Sequence, residues 1–270
     1  MRIGYITLVL AGLVVCSGAA RAQEEARPLI HAHAHNDYRH ERPLLDALDH
    51  GFCSFEADIH LVDGALLVAH EPHEVQAGQT LEKLYLAPLR ARVRENESHV
   101  YKDGPNCILL IDIKTEAEAT YRVLREELER YADVFSVFRD GAMETGAVTA
   151  IISGNAPRAT MAAEPMRYCG FDGRPTDLEG DVDPVFMPLI SDRWGKHFQY
   201  VGDGTLSDEE RAKLRKMVKD VHARGAIIRF WATPERPYLW GELLDAGVDL
   251  INTDRLDQLR AFLLEREPGT

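Results

Sequence analysis

Eight of the eleven histidines in this 270-residue chain lie between positions 31 and 73, and carboxylates are interleaved with them. The groups are His31-x-His33-x-His35-Asn36-Asp37, Glu56-x-Asp58 and His70-Glu71, with Asp112-x-Lys114 and Arg229-x-Trp231 repeating the two-residue spacing further on. In an extended strand, residues two apart share a face, so each group can present its side chains in one direction. Brought together, they would set three carboxylates, Glu56, Asp58 and Asp112, against one another. Like charges that close cost on the order of several kcal/mol. A hard divalent cation is the natural counter-charge, and an all-oxygen ligand set selects Mg²⁺ or Ca²⁺ over zinc. His35 and His70 are then free to move protons near neutral pH. Lys114 and Arg229 offer charge to an anion such as phosphate, and Trp231 offers a wall for substrate. A metal, an anion clamp and a histidine pair together predict phosphodiester cleavage. His31 and His33 are expected to fill or support this site, and His40, His50, His60 and His73 to lie in loops or on the surface.

Such convergence requires a particular framework. Short apolar runs read as strands at Leu29–His35, Cys53–Ile59, Ala65–Ala69, Ile108–Ile113, Val148–Ile152, Arg167–Phe171, Val185–Ile190, Ala226–Trp231 and Asp249–Asn252. Helical patterns fall between them at Glu41–His50, Thr80–Val93, Glu116–Tyr131, Ala156–Ala163, Ser207–Arg224, Tyr238–Ala246 and Arg255–Glu265. The link from Ile59 to Ala65 is too short for a parallel crossover and contains Asp63-Gly64, so it must be a hairpin. Setting aside the returning strand leaves eight βα units, the pattern of a closed (β/α)₈ barrel, in which functional groups gather at the carboxyl ends of the strands. The hairpin then carries His70 back to the level of Glu56 and Asp58. An open doubly wound sheet is the other architecture of this class, but no glycine-rich phosphate loop follows the first strand. The acidic, glycine-rich stretch 170–184 is expected to be a lid.

At the amino end, Arg2, an apolar run from Ile3 to Val15 and Ala20-Arg21-Ala22 form the pattern of a cleaved secretory leader over residues 1–22. Residues 23–270 are expected to form one domain, secreted or periplasmic, with no stable membrane insertion. A formal net charge of −13 argues against a nucleic-acid partner, which needs a basic face. Cys53, Cys107 and Cys169 match no zinc spacing. They are expected to be buried thiols, although Cys53 and Cys107 sit near the amino ends of neighbouring strands, where a bridge is sterically conceivable.

The groups His35-Asn36, Glu56-x-Asp58 and Leu67-Val68-Ala69-His70-Glu71 resemble the amino-terminal signature of the glycerophosphodiester phosphodiesterases. Leu110-Ile111-Asp112-Ile113-Lys114, Ile228–Thr233 and Gly247–Asp254 resemble later strands of that family. The wider group is the phosphatidylinositol-phospholipase-C-like phosphodiesterases, and His33-Ala34-His35-Asn36-Asp37-Tyr38 resembles its secreted branch. The resemblance implies a (β/α)₈ barrel, acid–base catalysis by His35 and His70, and Mg²⁺ or Ca²⁺ held by Glu56, Asp58 and Asp112. It also implies attack by a neighbouring substrate hydroxyl on phosphorus. The expected substrate is a glycerophosphodiester or phospholipid headgroup, and Asn36, Lys114, Arg229 and Trp231 are expected to contact it. The chain departs from the family pattern in three ways: Asn36-Asp37 replaces Arg-Gly, Asp112 replaces a glutamate, and the glutamate that often opens the next helix region has no clear match, Glu41 lying nearby. These changes bear on the choice of diester more than on the chemistry.

Two other functions compete. An amidohydrolase-type metallohydrolase also begins with His-x-His, but it needs histidines on its middle strands, and none lies between His99 and His197. A non-catalytic barrel that only binds ligand is the other reading, against which the intact set of candidate groups speaks.

Overall fold

The computed structural model describes residue 1, residues 26–180, residue 183 and residues 185–266. Apart from Met1, the expected leader lies outside the described residues. In chain order the strands are β1 (Leu29–Ala34), β2 (Phe52–Val62), β3 (Ala65–Val68), β4 (Cys107–Ile113), β5 (Val137–Arg139), β6 (Ala142–Glu144), β7 (Val148–Gly154), β8 (Met166–Arg167), β9 (Cys169–Gly173), β10 (Leu189–Arg193), β11 (Ile227–Trp231) and β12 (Leu250–Thr253). The helices are α1 (Leu45–Asp49), α2 (Ala87–Glu95), α3 (Ala117–Arg130), α4 (Arg158–Ala163), α5 (Asp208–His222), α6 (Pro237–Ala246) and α7 (Leu256–Arg266).

Eight parallel strands run in the order β1-β2-β4-β7-β9-β10-β11-β12, and β12 pairs back onto β1, closing the barrel. Closure explains why β2 is buried on both faces from Phe52 to His60. It also overturns the surface or loop placement expected for His60, which lies inside β2 with its Nε2 3.3 Å from the His70 carbonyl. Leu110, Ile151, Leu189 and Leu250 form a separate apolar floor inside the barrel. The outward faces of the strands pack on the helical layer. Helix starts are encoded locally: Glu116 caps α3 by accepting from the amides of Glu118 and Ala119. Ser207 and Glu210 make the reciprocal capping box of α5. Among the described residues, no helix is long and apolar enough to cross a membrane.

The hairpin forms as the sequence predicts. Asp63 and Gly64 both have positive φ, 49° and 81°, the requirement of a two-residue turn matched to strand twist. β3 returns antiparallel to β2, with Ile59 opposite Val68. The next amide, Ala69 N–H, donates to the Asp58 carbonyl at 3.1 Å, so His70 emerges beside Asp58.

Two further sequence expectations need correction. The sixth barrel strand, expected at Val185–Ile190, is instead Leu189–Arg193, which brings Ser191 and Arg193 into the barrel wall. The expected lid begins as barrel strand β9 and continues as a short 3₁₀ turn, Pro175–Glu179, so its first half is framework. A small antiparallel sheet, β6-β5-β8, was not anticipated, although Asp140-Gly141, both at positive φ, marks its turn. Cys53, Cys107 and Cys169 are buried free thiols, as expected.

Candidate active site

Each pair of polar residues on the barrel strands ends at the same rim. His35 and Asn36 follow β1, Glu56 and Asp58 lie on β2, and His70 follows β3. Asp112 and Lys114 mark the end of β4, Ser153 and Gly154 the end of β7, Asp172 and Arg174 that of β9, and Arg229 and Trp231 belong to β11. All of them line one cavity of about 190 Å³. The structure therefore brings together every site residue expected from the sequence.

Carboxylate oxygens of Glu56, Asp58 and Asp112 lie within 4.8 Å of one another, and these three residues could hold a cation. The register places them: Asp58 stands directly opposite Asp112 across the β2–β4 pairing. The Lys114 ammonium sits between two of them, 2.9 Å from Asp58 Oδ2 and 3.0 Å from Asp112 Oδ1. Burial, reinforced by the neighbouring Glu56 charge, pushes the Asp58 carboxyl above its ordinary value despite Lys114. Asp58 Oδ1 is buried with no hydrogen-bond partner. Asp112 Oδ2 accepts from the Ser153 hydroxyl at 2.9 Å. Gly154 leaves room for the other oxygen. It has φ +68°, and a Cβ there would lie 2.4 Å from Asp112 Oδ1.

The two histidines are held alike. His35 Nδ1 is 2.7 Å from Asp254 Oδ1, and His70 Nδ1 is 2.8 Å from Asp58 Oδ2. A carboxylate only accepts, so the His70 partner places that ring's proton on Nδ1 and leaves Nε2 for other work, whereas His35 Nδ1 stands between the accepting Asp254 oxygen and the Asn36 amide nitrogen at 2.8 Å. Burial disfavours the charged His35 ring, but the hydrogen bond to Asp254 and the Glu56 charge outweigh it and raise its pKa. Asn36 adopts a left-handed backbone, φ 48°, which asparagine tolerates. Its amide nitrogen reaches Asp254 at 3.2 Å, and its Oδ1 lies 2.7 Å from the Tyr38 hydroxyl. That hydroxyl is also 2.7 Å from Asp58 Oδ2 and 3.1 Å from His70 Nδ1, tying the two halves of the site together.

The lower part of the cavity is different. Arg229 is only 3% exposed and stands 3.7 Å from Glu56 Oε2. It also donates to His33 Nε2. Arginine only donates, so His33 is neutral there, with its Nδ1 proton directed to Ser54 Oγ at 2.7 Å. Burial and the Arg229 charge lower the His33 pKa to about 4, in agreement. Burial works against the Glu56 charge, but Arg229, with His33 and His35, holds that carboxyl well below the usual range. Arg229 thus lies beneath the mouth as a partner of Glu56. His31 Nδ1 bonds the Asp249 carbonyl at 2.8 Å, so neither His31 nor His33 is free.

Four contributors escaped the sequence reading: Tyr38, Asp172, Arg174 and the partner role of Asp254. Asp172 is buried, takes the Ser191 hydroxyl at 2.7 Å and Arg174 at 2.8 Å, and is raised in pKa by burial. The two-residue spacing of Asp172 and Arg174 was itself a legible signal, hidden because the strand was expected to stop at Phe171.

The sequence agrees with known families over these same elements. A model of the AIM6-like phosphodiesterase domain matches residues 22–172, and one of the glycerophosphoryl diester phosphodiesterase family matches residues 228–257. The altered inheritance of mitochondria protein 6 homolog of Arthroderma benhamiae is 27% identical over 266 residues, covering 86% of this chain and 83% of that protein. Altered inheritance of mitochondria protein 6 of Saccharomyces cerevisiae is 25% identical over 287 residues, covering 90% and 73%. Among solved structures, a glycerophosphodiester phosphodiesterase from Parabacteroides distasonis shares the fold with a TM-score of 0.53 at 16% identity, covering 89% of this chain and 99% of that one. One from Agrobacterium tumefaciens gives 0.52 at 15%, covering 87% and 99%.

Proposed function

Because the chain belongs to the AIM6-like phosphodiesterase domain family, we propose that it is a metal-dependent phosphodiester hydrolase using His35 and His70 as acid and base. Its fold is that of glycerophosphodiester phosphodiesterases. The observation that carries the reading is the pairing of the histidines. Each is fixed through Nδ1 by a carboxylate, and both line the cavity that holds the Glu56, Asp58 and Asp112 cluster.

A hard divalent cation fits this cluster. Among the described residues Lys114 is the one lysine or arginine paired with Asp58 and Asp112, Asp58 Oδ1 lacks any donor, and the three side chains offer only oxygens. Glu56, Asp58 and Asp112 would hold Mg²⁺ or Ca²⁺, which when bound would draw charge from the phosphoryl oxygens. Lys114 and Arg174 supply fixed positive charge at the mouth for the same oxygens. One histidine takes the proton of the attacking oxygen and the other returns a proton to the departing alcohol. Asp254 and Asp58 keep the rings aimed. Trp231 and Asn36 bound the space left for substrate, a glycerophosphodiester or a lipid headgroup ester. We further propose that residues 1–22 are removed and that the enzyme acts outside the cytoplasm; amino-terminal sequencing of the exported protein should begin at Gln23.

The amidohydrolase alternative loses its His-x-His pair, since His31 and His33 are already engaged.

The test is hydrolysis of bis(p-nitrophenyl) phosphate with and without EDTA, beside His35→Ala and His70→Ala. Activity that requires both metal and both histidines is expected. Activity that survives chelation, or either substitution, would remove this mechanism.

A further inference from the structure

Resting on that reading, we propose that a second cavity beside His70 receives the larger alcohol arm of the diester, an amphipathic group with a substantial apolar body. The catalytic cavity is small. The neighbouring groove has about 520 Å³ and His70 lines both cavities; the size holds organic ligands of a dozen or more atoms. Tyr38, which links Asp58 and His70, forms the same wall. Val68, Pro43 and Leu84 give the groove apolar surface, and Gln76 and Gln79 add amides. Arg39, on the turn after β1, reaches Glu74, on the turn after β3, at 3.8 Å, so the two groove-lining turns are joined.

Two costly backbone features lie at this groove. Residues Glu82–Leu86 form a π-helical turn, from which Lys83 and Leu84 line the cavity. Leu44, beside Pro43, holds φ 63° and ψ −49°. Its amide donates to buried Asp37 Oδ2 at 2.6 Å, and the Tyr85 hydroxyl secures the same oxygen at 2.8 Å. Both kinds of feature persist where the fold over-determines them and are enriched at functional sites. Together they border the groove, and through Tyr85, whose hydroxyl lies 3.4 Å from the Glu56 carbonyl, they also meet the strand that carries the carboxylate cluster.

An arm seated here has its ester oxygen beside His70. The P–O bond to the arm breaks, that oxygen takes the proton from His70 Nε2, and the arm leaves as an alcohol. The attacking oxygen forms the new P–O bond and gives its proton to His35. Bulk in the arm is therefore recognised on the leaving side.

The test uses two diesters with a common glycerol arm, glycerol ethyl phosphate and glycerol 2-phenylethyl phosphate, whose alcohols differ mainly in size. Wild type should show a kcat/KM about tenfold or more higher for the phenylethyl ester, the scale of filling an apolar pocket. Gln79→Trp, or Gln76→Trp on the exposed wall, should abolish that preference while leaving the ethyl ester within about twofold of wild type. Equal rates for both esters in wild type, or equal losses on both in the variants, would overturn the proposal. If neither ester is cleaved, the phosphodiesterase reading fails instead. Equilibrium binding of 2-phenylethyl phosphate against ethyl phosphate then decides the groove. Tighter phenylethyl binding that the tryptophan variants erase supports it, and equal binding refutes it.

Discussion

Asp254 accepts a 2.7 Å hydrogen bond from His35 Nδ1 across a separation of 219 residues, joining the last barrel strand to the first. It is not itself part of the cavity lining and reaches that lining through His35 and Asn36, so it acts as a positioning residue. Asp254→Asn should lower kcat about 10- to 100-fold and leave KM within about threefold, the usual scale for losing a group that orients a site ligand or base. Steady-state kinetics on a soluble diester will show this. A matching rise in KM would mean that Asp254 binds substrate instead.

Arg229 and Glu56 form a buried charge pair at 3.7 Å, with Arg229 almost wholly enclosed. Removing one partner leaves the other charge buried and unanswered, at a cost of about 3–5 kcal/mol. Arg229→Met should therefore be strongly destabilising in urea denaturation of metal-free protein. Adding Glu56→Gln should restore at least about half of the loss. Additive losses would assign Arg229 to packing alone.

Gly154 is required by contact and by φ together, because its missing Cβ would meet Asp112 Oδ1 at 2.4 Å. Gly154→Ala should weaken Mg²⁺ or Ca²⁺ binding by about tenfold or more in calorimetric titration, since displacing one oxygen ligand spoils the set. Folding should suffer as well, by at least about 1–2 kcal/mol for alanine in the left-handed region, because the Cβ would also lie 2.5 Å from the Ile113 carbonyl oxygen. Unchanged affinity would detach Asp112 from cation binding.

Glu127 offers a pH signature far from the site. Burial raises its carboxyl to about 7, with Arg130 pulling down and Glu82 pushing up. Its Oε2 has no partner, and Arg130 approaches its other oxygen only to 3.8 Å. The folded state therefore holds a proton that the unfolded chain releases near pH 4.5. Stability contributed by this group is whole below about pH 4.5 and is lost as pH rises toward about 7. Glu127→Gln should be more stable than wild type at pH 8 by on the order of 1–3 kcal/mol, and no more stable at pH 4. Urea denaturation at both pH values measures this. Asp37 is raised to about 7 as well, so the difference between variant and wild type isolates Glu127.

Much of this was legible because it is local. Period-two spacing puts Glu56 with Asp58 and Asp112 with Lys114, and Asp63-Gly64 dictates a hairpin, so the carboxylate cluster and His70 follow from short-range rules. What escaped depends on partners distant in sequence. Nothing near Asp254 shows that it will meet His35, and Tyr38 gains its role only when β2 and the turn after β3 come to it. Arg229 carried a legible charge, but its burial depends on how tightly eight strands close. Asp172 and Arg174 were missed through a strand boundary set two residues short. The π-helical turn breaks the helical period that sequence patterns detect.

The Asp63-Gly64 turn acts as a calliper. Of the proposed acid–base pair, His70 is the member carried by a strand outside the barrel, and its position is measured from Asp58 by four paired residues and a two-residue turn. Strand faces alternate, so inserting or deleting a single residue there would turn the imidazole to the opposite side and leave the rest of the barrel intact. The hairpin must keep its count for His70 to stay beside Asp58, and a descendant that loses the count would retain the barrel and lose that pairing.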